Sequence, residues 1–388
     1  MKALRVRIVA LLFGGSFLFA MPQPGGWTIP MENLGLNRFD RVPTTQWIGQ
    51  QGITFIGGDR LLVYQVGRTS GQAKLGPRAP GGGAGNFLLI IKVLTPDDGR
   101  VIKTLALVTN ANISQVLATR DGRFLVRSGF VLTLYSENYE PLVSRELKLE
   151  KQTDVEDWKI RVSPSGDQIV LLHEQVFSSP EILADGSVLH DGKARVDVEV
   201  LDAATLQPSK TFTLEHTMPF WSPAEGFLVS SNPAHSYSDQ QVGLLTFDGK
   251  WSPMRTDFKL PKSSCGYTAS AMDRQLIVVH GCETFTVLSL QGKRVFSRKD
   301  GRFAFTSARA RGQYVALQCD HHRTGFTLPS HTSELTTDVD RIQVFDTEKR
   351  MLVLEYRLQH PRVYYAISSR GELGVADGPA LSLARPER

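Results

Sequence analysis

Lys159-Ile160-Arg161-Val162, then Ser163-Pro164-Ser165-Gly166-Asp167, then Gln168-Ile169-Val170-Leu171-Leu172 is the stretch whose reading decides the fold. A short alternating run ends in a polar turn, and an apolar run follows it. Pro presets φ, Gly supplies positive φ, and Ser and Asp bond the nearby backbone, so this composition reads as a tight turn. The same pattern recurs at Thr119-Arg120-Asp121-Gly122-Arg123 and at Ser222-Pro223-Ala224-Glu225-Gly226. In each place an alternating strand, a turn of Asp, Gly or Lys type, and one more strand follow. The unit has four strands and recurs without a fixed length.

Working outward, six such units can be laid out, with strands a to d in each. They begin near Ile53, Ile113, Lys159, Pro219, Tyr267 and Phe303. The fourth strand of the Pro219 unit reads as Met254–Leu260, the only strong alternation after its third strand. Period two is clean where it can be tested: Val196, Val198 and Val200 face one way, Arg195, Asp197 and Glu199 the other. A last unit is truncated to Val363–Ile367, Glu372–Ala376 and Ala380–Ala384. Open sheet edges invite aggregation, so the segment between Trp27 and Trp47 is expected to supply the missing strand. No long 3.6-residue period occurs after residue 20. The expected architecture is an all-β, seven-bladed β-propeller of four-stranded antiparallel blades, the last closed by an N-terminal strand. Six or eight blades follow if a unit has been merged or split.

Val200-Leu201-Asp202-Ala203-Ala204-Thr205-Leu206 and Val344-Phe345-Asp346-Thr347-Glu348-Lys349 resemble the V-x-D-x-x-T strand-turn of the YVTN/WD40-like propeller superfamily. The Trp-Asp and Gly-His dipeptides of true WD40 repeats are missing from the matching positions. The resemblance implies the fold, and members of the superfamily include quinoprotein dehydrogenase subunits, lactonases and interaction scaffolds. Fold alone does not choose among them.

The chain has 388 residues, 41% hydrophobic and 21% charged, an ordinary globular balance. Lys2, Arg5 and Arg7 precede the apolar run Ile8–Ala20, and Met21-Pro22-Gln23-Pro24-Gly25-Gly26 follows. That order reads as a signal peptide over residues 1–20, with an uncleaved anchor as the rival reading. Residues 21–46 then form an N-terminal segment carrying the closing strand, and residues 47–388 the propeller. The expected location is secreted or periplasmic, with no transmembrane span after cleavage. Without the three leader cations, 41 basic residues face 39 acidic ones. So balanced a charge gives no argument for a nucleic-acid partner, and a monomer is expected.

Cys265 and Cys282 flank the hairpin expected at Tyr267–Ala271 and Gln275–Gly281, so folding it brings them opposite one another. A disulfide between them is expected, leaving Cys319 a buried thiol; Cys282–Cys319 is the rival pairing. There is no Cys-x-x-Cys, no Gly-x-Ser-x-Gly elbow, and no Lys-Ser/Thr after Gly81-Gly82-Gly83. No catalytic residue, cofactor or metal site is assigned. Trp158 and Trp221 read as packing residues.

In a propeller the a–b and c–d turns share one face, and the b–c and d–a connections share the other. The long insertions all read as b–c: Val66–Asn86, His173–Ala194, Ser231–Gln241 and Cys319–Asp340. His173, His190, His235, His280, His321, His322 and His331 fall in these connections or at their margins, with Asp239 and Asp320 beside them. Histidine titrates near neutrality and ligates metals, yet loops are polar, and solvated or structural histidines with no shared site are the expected reading ahead of a ligand pocket or a bound metal. Two functions follow. One is a non-catalytic exported scaffold binding a protein, peptide or glycan through the b–c face. The other is a lactonase- or quinoprotein-dehydrogenase-type enzyme using His, Asp and Glu of that face.

Overall fold

The computed structural model describes residues 25–38, 51–68, 87–109, 114–147, 158–163, 166–176, 181–182, 188–189, 194–215, 217–221, 226–231, 241–246, 251–253, 268–271, 276–280, 284–289, 293–299, 303–321, 340–360 and 363–386. Among them stand seven sheets of four antiparallel strands and one small hairpin, Glu181–Ile182 with Val188–Leu189. The first sheet is Gln51–Ile56, Arg60–Arg68, Phe87–Leu94 and Val101–Thr109. The second is Ser114–Ala118, Phe124–Ser128, Val131–Tyr135 and Pro141–Glu146. The third is Trp158–Val162, Gln168–Val176, Ala194–Asp202 and Pro208–Glu215. The fourth is Thr217–Trp221, Gly226–Ser231, Gln241–Thr246 and Trp251–Pro253, and the fifth Thr268–Ala271, Leu276–His280, Thr284–Ser289 and Arg294–Lys299. The sixth is Phe303–Arg311, Tyr314–His321, Arg341–Asp346 and Met351–Arg357.

The seventh sheet takes its strands from both ends of the chain. Val363–Ile367, Leu373–Asp377 and Ala380–Ala384 are followed in space by Trp27–Pro30, with Trp27 opposite Leu383. The outer edge that Ala380–Ala384 would otherwise expose is therefore paired. Met31, Leu34 and Leu36 continue from that strand into the apolar layer between the seventh and first sheets, with Phe55, Leu61, Ala376 and Leu381. Similar layers join the first and second sheets, the second and third, the fifth and sixth, and the sixth and seventh. Each sheet touches the next in the series, and Val363–Ile367 of the seventh lies against Gln51–Ile56 of the first. Helix among the described residues is confined to the 3-10 turns Met31–Leu34, Gly57–Asp59 and Arg120–Gly122.

The V-x-D-x-x-T segments owe their shape to the aspartate. Oδ1 of Asp202 accepts from the backbone N–H of Ala204 (3.0 Å) and Thr205 (2.9 Å) and from Thr205 Oγ1 (2.8 Å). Oδ1 of Asp346 accepts from the N–H of Glu348 and Lys349, both at 3.0 Å. These are Asx turns, in which a carboxylate satisfies donors that the reversal leaves open. Leu206 and Arg350 then take positive φ, 56° each, as do Tyr139 and Gly99 in the second and first sheets. Just before these turns the c–d register slips by one residue, at Val93/Leu94, Leu134/Tyr135, Val200/Leu201 and Val344/Phe345, and again at Val287/Leu288. A turn followed by a left-handed residue and a bulge is a common hairpin solution, and it recurs here as a structural repeat.

The a–b turns tie neighbouring sheets together. A Cβ on Gly57 would lie 2.2 Å from Cα of Gly122, whose own φ is +74°, so both positions need glycine. The N–H of Arg120 donates to Gly166 O (3.2 Å), and Ser369 Oγ donates to both oxygens of Asp59 (2.9 Å).

Two expectations are corrected. The fourth strand of the fourth sheet is Trp251–Pro253, not Met254–Leu260, which lies outside the described residues. Pro253 is tolerated because strand d is an edge strand. The b strand of the third sheet runs on to Val176 because its c strand stays paired with it to Ala194, and that of the sixth runs on to His321 because strand a pairs with it to Phe303.

Candidate ligand-binding site

The longer b strands relocate several of the expected site residues. His173 sits inside a strand, opposite both Trp158 and Asp197. His280 ends its strand opposite Thr268 and Phe285. Asp320 and His321 lie opposite Ala304 and Phe303. His173, Asp320 and His321 thus belong to b strands rather than to the b–c connections, and His280 stands at the end of its b strand, at the margin of a connection as expected. His190, His235, His322, His331 and Asp239 lie outside the described residues, as do Cys265 and Cys282. Cys319 is a buried thiol whose Sγ lies 3.6 Å from Leu317 O and 3.7 Å from Gln343 Oε1. Among the described residues no group of three or more His, Cys, Asp and Glu is placed to hold a metal ion.

One histidine does meet a carboxylate on the b–c and d–a side. His360 Nδ1 lies 2.8 Å from Oδ1 of buried Asp377, whose Oδ2 accepts from the Gln359 N–H at 2.8 Å. Asp377 opens the tight b–c turn of the seventh sheet, and His360 follows the last strand of the sixth. The pair ties a d–a connection to a b–c turn and so fixes how the two sheets meet.

A cavity of about 770 Å³ lies among the a strands. Strands of the first, second, third, fifth, sixth and seventh sheets line it. Gln51, Gln115 and Tyr364 stand near the starts of their strands. Arg161, Arg309 and Arg311 stand near the opposite ends, beside the a–b turns. No Asp or Glu lines the cavity among the described residues.

The alternation of the a strands places these arginines. Arg309 and Arg311 are two apart and share a face. Arg311 Nη1 reaches Phe55 O at 2.8 Å, linking the sixth sheet to the first. Arg309 Nη1 donates to Ala308 O at 2.9 Å, and its guanidinium lies over the Tyr365 ring, 5.5 Å from the centroid. That ring is held by a 2.7 Å hydrogen bond between its hydroxyl and Ser307 Oγ. Arg161 Nη1 makes a long 3.4 Å bond to Ile160 O. Water reaches the Arg161 side chain, but the surrounding protein still lowers the guanidinium pKa, and the nearby positive charge of Arg309 lowers it further. Two like charges thus face one cavity. Reading for histidine missed them. Arginines on innermost strands at Arg161 and Arg309 were the available signal, because an a strand faces a channel and has no solvent edge to excuse a charge.

No family model matches the chain, and no curated protein matches it in sequence. Solved structures do match in fold. An acylaminoacyl peptidase in complex with Z-Gly-Gly-Phe-chloromethyl ketone superposes with a TM-score of 0.56 at 10% identity, over 89% of this chain and 52% of that one. Uncomplexed acylaminoacyl peptidase from Pyrococcus horikoshii gives 0.54 at 11%, over 89% and 53%. A chain of the mitotic checkpoint complex gives 0.51 at 11%, over 100% and 99%. The chain spans about half the length of the peptidases it matches. At such identities the likeness speaks for fold alone: the chain is similar to WD40-like, propeller-type proteins. Among the described residues no helix is long and apolar enough to cross a membrane.

Proposed function

We propose that this chain is an exported, seven-bladed, closed β-propeller that acts as a monomeric binding scaffold. Its ligand is a protein, peptide or glycan held at the b–c face, without catalysis, and neither nucleic acid nor a membrane span takes part. Residues 1–20 are the leader in this reading, 21–46 carry the closing strand, and 47–388 form the ring. The observation that carries the proposal is one of register. The connections from Arg68 to Phe87, Val176 to Ala194, Ser231 to Gln241 and His321 to Arg341 all leave their sheets at the end where strand a begins. Long loops on a rigid scaffold are the usual place for binding. The likeness to the mitotic checkpoint complex chain, which spans 99% of that chain, supports a propeller that works in assemblies.

The test is site-specific photo-crosslinking of the exported protein in extracts of its own cells. A photoactivatable residue replacing Ser231 is expected to capture a discrete partner. The same group replacing Asp98, in a c–d turn, is expected to capture none. Labelling confined to the Asp98 position overturns the choice of face. Mass spectrometry of the mature N-terminus tests the leader, with Met21 the expected first residue.

A further inference from the structure

We propose that the a–b end of the central cavity is a receptor for a small oxyanion ligand, a phosphate- or carboxylate-bearing molecule gripped between Arg161 and Arg309. The inference lies at the opposite end of the a strands from the loop face and does not depend on that reading.

The argument begins with donors. A guanidinium carries five N–H groups in a planar fork. Arg161 and Arg309 each place one Nη on a neighbouring backbone carbonyl, which leaves most of both forks without a protein acceptor among the described residues. Arg161 and Arg309 are exposed to the water of the cavity rather than buried, and a cleft lined by one sign of charge concentrates ligands of the opposite sign. Here the lining holds three arginines and, among the described residues, no acid. Elsewhere in the molecule the partly buried arginines Arg145, Arg341 and Arg385 face Glu199, Glu355 (3.0 Å) and Glu372 (3.2 Å), whereas no carboxylate lines this cavity among the described residues.

Preorganisation is the second observation. Tyr365 under Arg309, itself fixed by Ser307, holds that guanidinium in place before any ligand arrives. The a–b turns at this end are short and tied to one another through Gly57 and Gly122 and through Arg120 and Gly166. A bound oxyanion would relieve the repulsion between the two cations and fill their open forks with charge-assisted bonds. A volume of about 770 Å³ suits a small molecule.

The experiment uses the full mature chain in low-salt buffer without phosphate. Inorganic phosphate and succinate are titrated separately by calorimetry and by thermal melts, with erythritol as the neutral control. One or both anions are expected to bind and raise the melting temperature, and erythritol to do neither; which anion is tighter identifies the headgroup. Arg161→Gln and Arg309→Gln are each expected to weaken binding about tenfold or more. Without anion these variants are expected to melt no lower than the native chain, since each removes one of two repelling charges. Arg161→Lys and Arg309→Lys keep the charge and lose the fork, and intermediate affinity is expected if the glutamine variants do not fold. Absence of binding by both anions overturns the proposal, as does binding that every folded arginine variant retains in full. A chain whose residues 322–339 are replaced by a short linker should still bind the anion, so failure of the loop-face reading and failure of this one give different results.

Discussion

Arg385 donates from Nε to Oε1 of buried Glu372 at 3.2 Å, and the same guanidinium reaches Gly25 O at 2.6 Å and Pro96 O at 2.8 Å. One side chain near the C-terminus thus joins the seventh sheet, the N-terminal segment and a turn of the first sheet. Trp27 Nε1 donates to the same Pro96 carbonyl at 2.8 Å. Arg370 Nη2 holds the other oxygen of Glu372 at 2.9 Å, so the buried carboxylate has two cationic partners.

Arg385→Ala removes this junction and leaves Glu372 with one partner. The expected loss is about 2–3 kcal/mol, since breaking one side of a largely buried pair costs more than an exposed pair gains. Urea denaturation measures it as a lower midpoint at unchanged slope. Arg385→Lys should recover part of the loss, because the charge remains and the fork does not.

Deleting residues 21–36 tests the closing strand. It bares the edge of Ala380–Ala384 and uncovers the apolar layer that Met31, Leu34 and Leu36 help fill. The expected outcome is concentration-dependent association on size-exclusion chromatography. Backbone amides of 380–384 should also lose hydrogen-exchange protection, while those of the third sheet keep theirs.

Asp346→Ala tests the c–d turn. Asp346 is fully buried, and besides its two backbone donors it accepts from Gln313 Nε2 at 2.9 Å. The alanine leaves three donors without their acceptor, with an expected cost of about 2 kcal/mol or more by thermal or urea melts. Asp202→Ala, at an exposed turn of the same kind, should cost less because water replaces the lost acceptor.

Glu355 gives the chain an acid-sensitive component. Burial pushes its carboxyl pKa up, but the hydrogen bond from Gln343 and the Arg341 guanidinium outweigh burial and hold it below the usual range. A carboxyl depressed in the folded state adds stability that is present above its unfolded pKa and is lost as pH falls through the folded value. Native protein should therefore lose stability more steeply than Glu355→Gln as pH drops below about 4. Parallel melts of the two across pH 6 to 3 check this, and identical slopes refute it.

Much of this fold was legible because strands and turns carry local signals. Asp202 and Asp346 stood out in sequence for the same reason they work in the structure: each bonds the backbone two and three residues on. Trp251–Pro253 was missed because a three-residue edge strand containing proline carries almost no alternation, whereas Met254–Leu260 alternates well. Arg309 and Arg311 carry no strand signal of their own, because arginine there reads as turn or surface. They extend the strand because its partner continues to Tyr314, and because their faces open on the cavity. The histidine-rich face rested on where strands end, and those ends depend on pairing partners far along the chain, such as Val176 with Ala194.

The pairing of Trp27 with Leu383 sets the order of assembly. Trp27–Pro30 leaves the ribosome well before Ala380–Ala384 and must wait, unpaired, for it. A chain stopped before Ala380–Ala384 has nothing to receive that strand, so the seventh sheet is completed only after those residues have been made. The same adjacency sets Trp27 beside Leu383, so a short linker could join these two strands and the chain be reopened in another turn without moving a strand.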